Sequence, residues 1–216
     1  MRAYLSSYRL GTHFEQFLAL VPTKPKVLLV TNALDVFSDA SRRRHRAEVY
    51  DPNRELEELG CSVSDLDLRA YFGRSDALKS RLVESDFVWV LGGNSFVLKR
   101  AMHLSGFDDL VTEQVKTDAI AYGGFSAGAV VAAPTLDGIH LMDNPEVAPQ
   151  GYPSEITWKG LGLVDFAIVP HWRSDHPEAA EAELARTYLQ DKGLPHKTLS
   201  DGQALLLVND AVSLLS

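Results

Sequence analysis

The sequence predicts a three-layer α/β sandwich with a mainly parallel sheet, on two observations. Near-continuous apolar runs, "KVLLV" (26–30), "FVWVLGG" (87–93) and "FAIVP" (166–170), have the character of strands buried on both faces. Amphipathic stretches separate such runs all along the chain, the alternation from which parallel sheets with covering helices are built. With 216 residues, 45% of them hydrophobic, the chain suits a single domain over 1–216 with a large core.

In chain order the expected strands are 26–30, 62–68, 87–93, 119–124 and 166–170. The expected helices are 51–60, 75–85, 95–104 and 176–193, the last opened by Asp175 and Pro177 and ended at Gly193. The tail "KTLSDGQALLLVNDAVSLLS" differs. Its turn signals, Asp201-Gly202 and Asn209-Asp210, separate short apolar runs that read as antiparallel strands finishing the sheet. No internal repeat interrupts this pattern.

Composition removes several classes of function. A formal net charge of −8 argues against a nucleic-acid or anionic-membrane partner. A single cysteine, Cys61, excludes an internal disulfide framework and a cysteine-rich metal site. The first ten residues have no extended apolar segment and no stretch is long enough to span a membrane, so a soluble cytoplasmic protein is the expectation.

In parallel sheets ligands bind beyond the carboxyl ends of the strands. After the fourth expected strand, Gly124-Phe125-Ser126-Ala127-Gly128 fits G-x-S-x-G, with a strand upstream and the start of a helix downstream in "AGAVVAAP". A hydroxyl on such a corner needs small neighbours, because side chains there collide with the strand and the next helix. The plainer reading is a glycine-rich corner packed for reasons of fold. A second corner, Gly92-Gly93-Asn94, follows the third strand. The N–H groups of Gly93 and Ala127 can together hold an oxyanion, with Asn94 beside them an expected substrate contact.

A serine hydroxyl needs a base. Of seven histidines, His171 alone directly follows an apolar strand, "FAIVP". A metal bound by His171 and His176 is the rival idea, and it lacks a third ligand at convincing spacing. The imidazole in turn needs a carboxylate on its other nitrogen. Asp165 lies at the wrong end of its strand and Asp175 reads as a helix cap, which leaves Asp143 and Asp201 open. The run Arg42-Arg43-Arg44-His45-Arg46 reads as a solvated helix face, with an acidic substrate as the alternative.

"LGGNSF" (91–96), "GGFSAGA" (123–129), "VPHW" (169–172) and "SDGQAL" (200–205), in that order, resemble the peptidase E family of serine peptidases. That family comprises α-aspartyl dipeptidases and also contains cyanophycinases. The resemblance implies a class I glutamine amidotransferase-like (flavodoxin-like) fold and a cytoplasmic homodimer without cofactor or metal. It implies a short peptide substrate, Ser126 as nucleophile, His171 as base and Asp201 as acid. Members often carry glutamate where this chain has the shorter Asp201, so Asp143 remains the alternative. Relatives hold an N-terminal Asp with an arginine after the histidine loop, where this chain has none before Arg186 and Arg173 is the nearest substitute. A cyanophycinase-like isopeptidase and a non-catalytic binding homologue are the alternatives.

Overall fold

The structure, a computed structural model, describes residues 1–209 and 211–216. Its centre is a seven-stranded sheet of order β3-β2-β4-β5-β1-β8-β9. The strands are β1 (Arg2–Ser6), β2 (Lys26–Val30), β3 (Ser62–Leu66), β4 (Phe87–Val90), β5 (Ala121–Phe125), β8 (Ala204–Val208) and β9 (Ala211–Leu215). The five from β3 to β1 run parallel. The last two pair antiparallel, β8 on β1 and β9 on β8, as the turn-rich tail predicts. Asp210, half of the expected Asn209-Asp210 turn, lies outside the described residues.

Helices cover both faces. Alternate residues of each central strand divide between two apolar clusters. Val88, Val90 and Tyr122 face one side with Leu98 and Met102 of α5 (Ser95–Ser105) and Val111 of α6 (Phe107–Lys116). Phe87, Trp89 and Ala121 face the other with Phe14 and Phe17 of α1 (Phe14–Leu18) and Leu56 of α3 (Pro52–Glu58). Two buried faces explain why β4 is apolar at every position. The remaining helices are α2 (Asp39–Glu48), α4 (Ser75–Val83), α7 (Ala127–Val130) and α8 (Ala179–Asp191).

Three departures from the expected elements have physical causes. The N-terminal "RAYLS" is β1, fully buried at Ala3, Tyr4 and Leu5 and paired on both edges. "FAIVP" forms β6 (Ala167–Val169), which pairs with β7 (His196–Thr198) in a separate two-stranded parallel sheet. Helix α8 starts three residues later than its signals indicate, because residues 171–176 turn through left-handed backbone at His171 (φ 60°) and Arg173 (φ 53°). Its end keeps the expected glycine, Gly193 at φ 65°. Among the described residues no helix is long and apolar enough to cross a membrane.

Candidate active site

Ser126 follows β5 directly, at the carboxyl end of the sheet between β4 and β1. Its backbone is held at φ 48°, ψ −118°, a region that a residue with a Cβ occupies only under constraint from its surroundings. The glycines around it supply that constraint. A Cβ on Gly128 would overlap the Val90 carbonyl, one on Gly124 would meet the Gly128 carbonyl at 2.8 Å, and one on Gly123 would enter the Trp89 indole. The first turn of α7 therefore sits directly against β4 and β5, which forces the chain to turn sharply at Ser126. Gly92, from the second corner, lies so close that a Cβ there would stand 3.0 Å from that of Ser126.

His171 is buried and lies in the turn after β6. Its Nδ1 is 2.8 Å from Asp201 Oδ1. Burial acts to raise the Asp201 carboxyl, but hydrogen bonds from His171 and Ser7 outweigh it and hold the group below its usual value. An ionised carboxylate only accepts, so the ring proton sits on Nδ1 and Nε2 keeps its lone pair in the neutral ring. Ser7, just past β1, ties the pair together. It accepts from the His171 backbone N–H at 2.8 Å, and its hydroxyl lies 2.8 Å from Asp201 Oδ1. Nothing in the sequence marks Ser7, because its partners are 164 and 194 residues away.

The shorter acid reaches because its backbone is stitched to the histidine turn. The Asp201 N–H donates to Ser174 Oγ at 2.7 Å, Ser200 Oγ to the Trp172 carbonyl at 2.8 Å, and the Trp172 N–H to the Leu199 carbonyl. The Asp201-Gly202 turn closes with the Gln203 N–H on the Ser200 carbonyl and Gly202 at φ 95°. Asp143 goes elsewhere. Its Oδ2 accepts the Ser95 N–H at 2.8 Å at the start of α5. Burial pushes its carboxyl up to about 6, and the neighbouring Glu178 charge adds to the rise.

The expected oxyanion donors are free. Among the described residues the N–H groups of Gly93 and Ala127 donate to no other group. Gly93 stands at φ 135°, where a Cβ would strike the Ala33 carbonyl. The two expected substrate contacts are engaged within the protein. Asn94 caps α5: its Oδ1 accepts from the N–H groups of Phe96 and Val97, and its Nδ2 donates to the Asn144 carbonyl. Arg173 lies over the Trp172 ring, 4.3 Å from its centroid, outside the cavity lining.

Ser126 and His171 open into one cavity of about 500 Å³ at the strand ends. Arg9, Arg42, Arg43, Arg46 and Arg69 line it. The basic run on α2 is thus a wall of this cavity as well as a solvated face, a role that residue spacing alone does not reveal. His176 and Glu178 line it too. The His176 ring stacks on His171 at 3.6 Å and 7°, and its Nδ1 accepts the Glu178 N–H. With Glu178 the two histidines have the third metal-capable group that the sequence spacing hid. Stacked rings, however, point their lone pairs along parallel planes, so one ring would have to turn before both could bind one ion.

Against this geometry, the model of peptidase family S51 matches residues 9–215. The chain belongs to peptidase family S51. As a member of that family it is a peptidase, and peptides are its substrate class. A Listeria innocua protein described as an uncharacterized peptidase is 31% identical over 74% of this chain and 72% of its own length. A peptidase E of Streptomyces coelicolor is 33% identical over 67% of this chain and 58% of its own. A Drosophila melanogaster protein described as an alpha-aspartyl dipeptidase is 31% identical over 74% and 63%. A crystal structure of a Listeria monocytogenes protein, described as a peptidase E, superposes with a TM-score of 0.79 at 22% identity. The match covers 99% of this chain and 97% of that one, so the two share the sandwich fold across the whole sheet. The names these relatives carry favour a peptidase over the isopeptidase and binding-module alternatives.

Proposed function

We propose that this S51 member is a serine peptidase of dipeptides and short peptides, working through an acyl-enzyme on Ser126. Ser126 Oγ attacks the scissile carbonyl carbon while His171 Nε2 takes its proton, and Asp201 holds the Nδ1–H and stabilises the imidazolium. The tetrahedral oxyanion accepts from the N–H groups of Gly93 and Ala127. Collapse breaks the C–N bond, and the amine leaves with the proton from His171. A water molecule then attacks the ester, giving its proton to His171, and the second collapse releases the acid and restores Ser126. The observation that carries this reading is the 2.8 Å His171–Asp201 bond beside a cavity that Ser126 also lines.

Substrate class follows from the cavity. Its volume suits a dipeptide, and five arginines on its wall favour an anionic one. With a peptidase E and an alpha-aspartyl dipeptidase among its relatives, a peptide with N-terminal Asp is the substrate to try first. The cytoplasmic homodimer that the family resemblance implies belongs to the same proposal, and light scattering would then return twice the 23.8 kDa of one chain.

A fluorophosphonate probe tests the nucleophile. The expected result is one adduct, on Ser126, absent in Ser126→Ala, with hydrolysis in that variant reduced by about 10³-fold or more. Hydrolysis at an unchanged rate in Ser126→Ala would overturn the mechanism.

A further inference from the structure

The five arginines of the cavity are not equivalent. Arg42 pairs with Asp35 at 2.6 Å and also with Asp39. Arg46 pairs with Asp51 and Asp65 at 3.1 and 3.2 Å, and Arg69 with Asp67 at 2.7 Å. Their charge is answered within the protein. Among the described residues Arg9 and Arg43 have no carboxylate partner. Arg43 is an exposed side chain on α2, whereas Arg9 is half-buried and held in place.

What holds Arg9 is aromatic. Its guanidinium lies 4.3 Å from the Tyr50 ring centroid and 5.0 Å from that of Tyr8. Tyr50 is itself fixed by donating its hydroxyl to Glu55 at 2.6 Å. A cation on a ring uses the flat face of the guanidinium and leaves its N–H edge free, the edge that grips a carboxylate with two parallel bonds. The backbone is fixed as well: Arg9 stands at φ 49°, and its carbonyl accepts the Ser6 hydroxyl at 2.5 Å. Two residues earlier in the same turn, Ser7 anchors His171 and Asp201, and Tyr8 packs edge-on against His171 with centroids 6.1 Å apart. One turn after β1 therefore supports the proposed base and carries an unpaired cation into the cavity beside it.

We propose that Arg9 is the carboxylate-binding residue of the substrate site, taking the side chain of an N-terminal acidic residue or the C-terminal carboxylate of a dipeptide. It brings to the cavity, from the turn after the first strand, a cation that no carboxylate of the described residues answers, whereas Arg173, after His171, lies over the Trp172 ring. This assignment rests on the serine-peptidase reading above.

The test compares Arg9→Met, which keeps bulk on the tyrosines without charge, and Arg9→Lys, which keeps charge without the fork. The substrates are Asp-Leu, Asn-Leu and Asp-Leu-amide, read as kcat/KM ratios. Loss of a charged, two-bond contact is expected to lower one preference by about 10- to 100-fold. Collapse of the Asp-Leu over Asn-Leu ratio in Arg9→Met, partly restored in Arg9→Lys, assigns the side-chain carboxylate. Collapse of the Asp-Leu over Asp-Leu-amide ratio assigns the C-terminus. Both ratios unchanged from wild type in both variants overturn the proposal. Fluorophosphonate labelling of Ser126 in the same variants separates the two ideas: a labelled, active variant with unaltered ratios refutes only the role of Arg9, and an active but unlabelled wild type refutes the nucleophile.

Discussion

The two walls of the cavity are built by opposite means. The wall of Ser126 and His171 is made of strand ends, with the turn at Ser126 held by glycines packed against β4 and with His171 and Ser7 buried. The wall of α2 and Arg69 is made of long side chains at the surface, with Arg42, Arg46 and Arg69 each held by aspartates. Rigid backbone suits proton transfer, where a misplaced ångström lowers the rate steeply. Ion-paired side chains suit charge recognition, because a pair can reopen around a ligand at little cost. The difference teaches where substitutions will be felt.

The largest effect belongs to the rigid wall. Asp201→Asn keeps the shape of the acid but removes its charge and lets the ring take the wrong tautomer, so kcat is expected to fall by roughly 10³- to 10⁴-fold with KM little changed. Stopped or steady-state assay of a dipeptide substrate measures it, and a loss under tenfold would show that the acid is not working through His171.

A smaller and pH-dependent effect is expected at Asp143. Its folded-state pKa of about 6 lies above the unfolded value near 4, so the folded protein holds the proton more tightly. Stability contributed by that protonated group is present at low pH and is lost as pH rises from about 4 through about 6. Asp143→Asn should therefore raise Tm at pH 8, by roughly 2–4 °C for each kcal/mol relieved, and change little at pH 4. Melting curves at the two pH values decide it, and an equal shift at both would remove the titration from the account.

The smallest effect belongs to the other wall. Arg46 sits between Asp51 and Asp65 with much of its side chain in solvent, so Arg46→Ala should cost no more than about 1 kcal/mol, less in high salt. Urea unfolding at two ionic strengths would show it. A cost well above that, insensitive to salt, would make this wall as rigid as the first.

How far each wall can be read from sequence follows the same division. The serine corner is legible because strand, glycines and helix are adjacent in the chain, so G-x-S-x-G in 124–128 carries its own context. His171 is legible as the residue at a strand end, although that strand lies in a small separate sheet. The choice between Asp201 and Asp143 is not, since both stand outside strands and helices and only tertiary bonds such as Asp201 to Ser174 decide which carboxylate meets the ring. The five arginines come from three separate segments, and the run on α2 by itself has the pattern of an ordinary exposed helix. Asn94 and Arg173 are hard to read for a related reason: a polar residue beside a motif can be engaged by the backbone or a neighbouring ring as well as by a ligand.

The first strand has a practical consequence. Arg2–Ser6 lies between the parallel half of the sheet and the antiparallel tail, and the turn after it carries Ser7 and Arg9. An expression clone begun ten codons late would thus lose more than a ragged end. It would split the sheet between β5 and β8, unmoor the histidine and delete the free cation, and its inactivity would say nothing about Ser126.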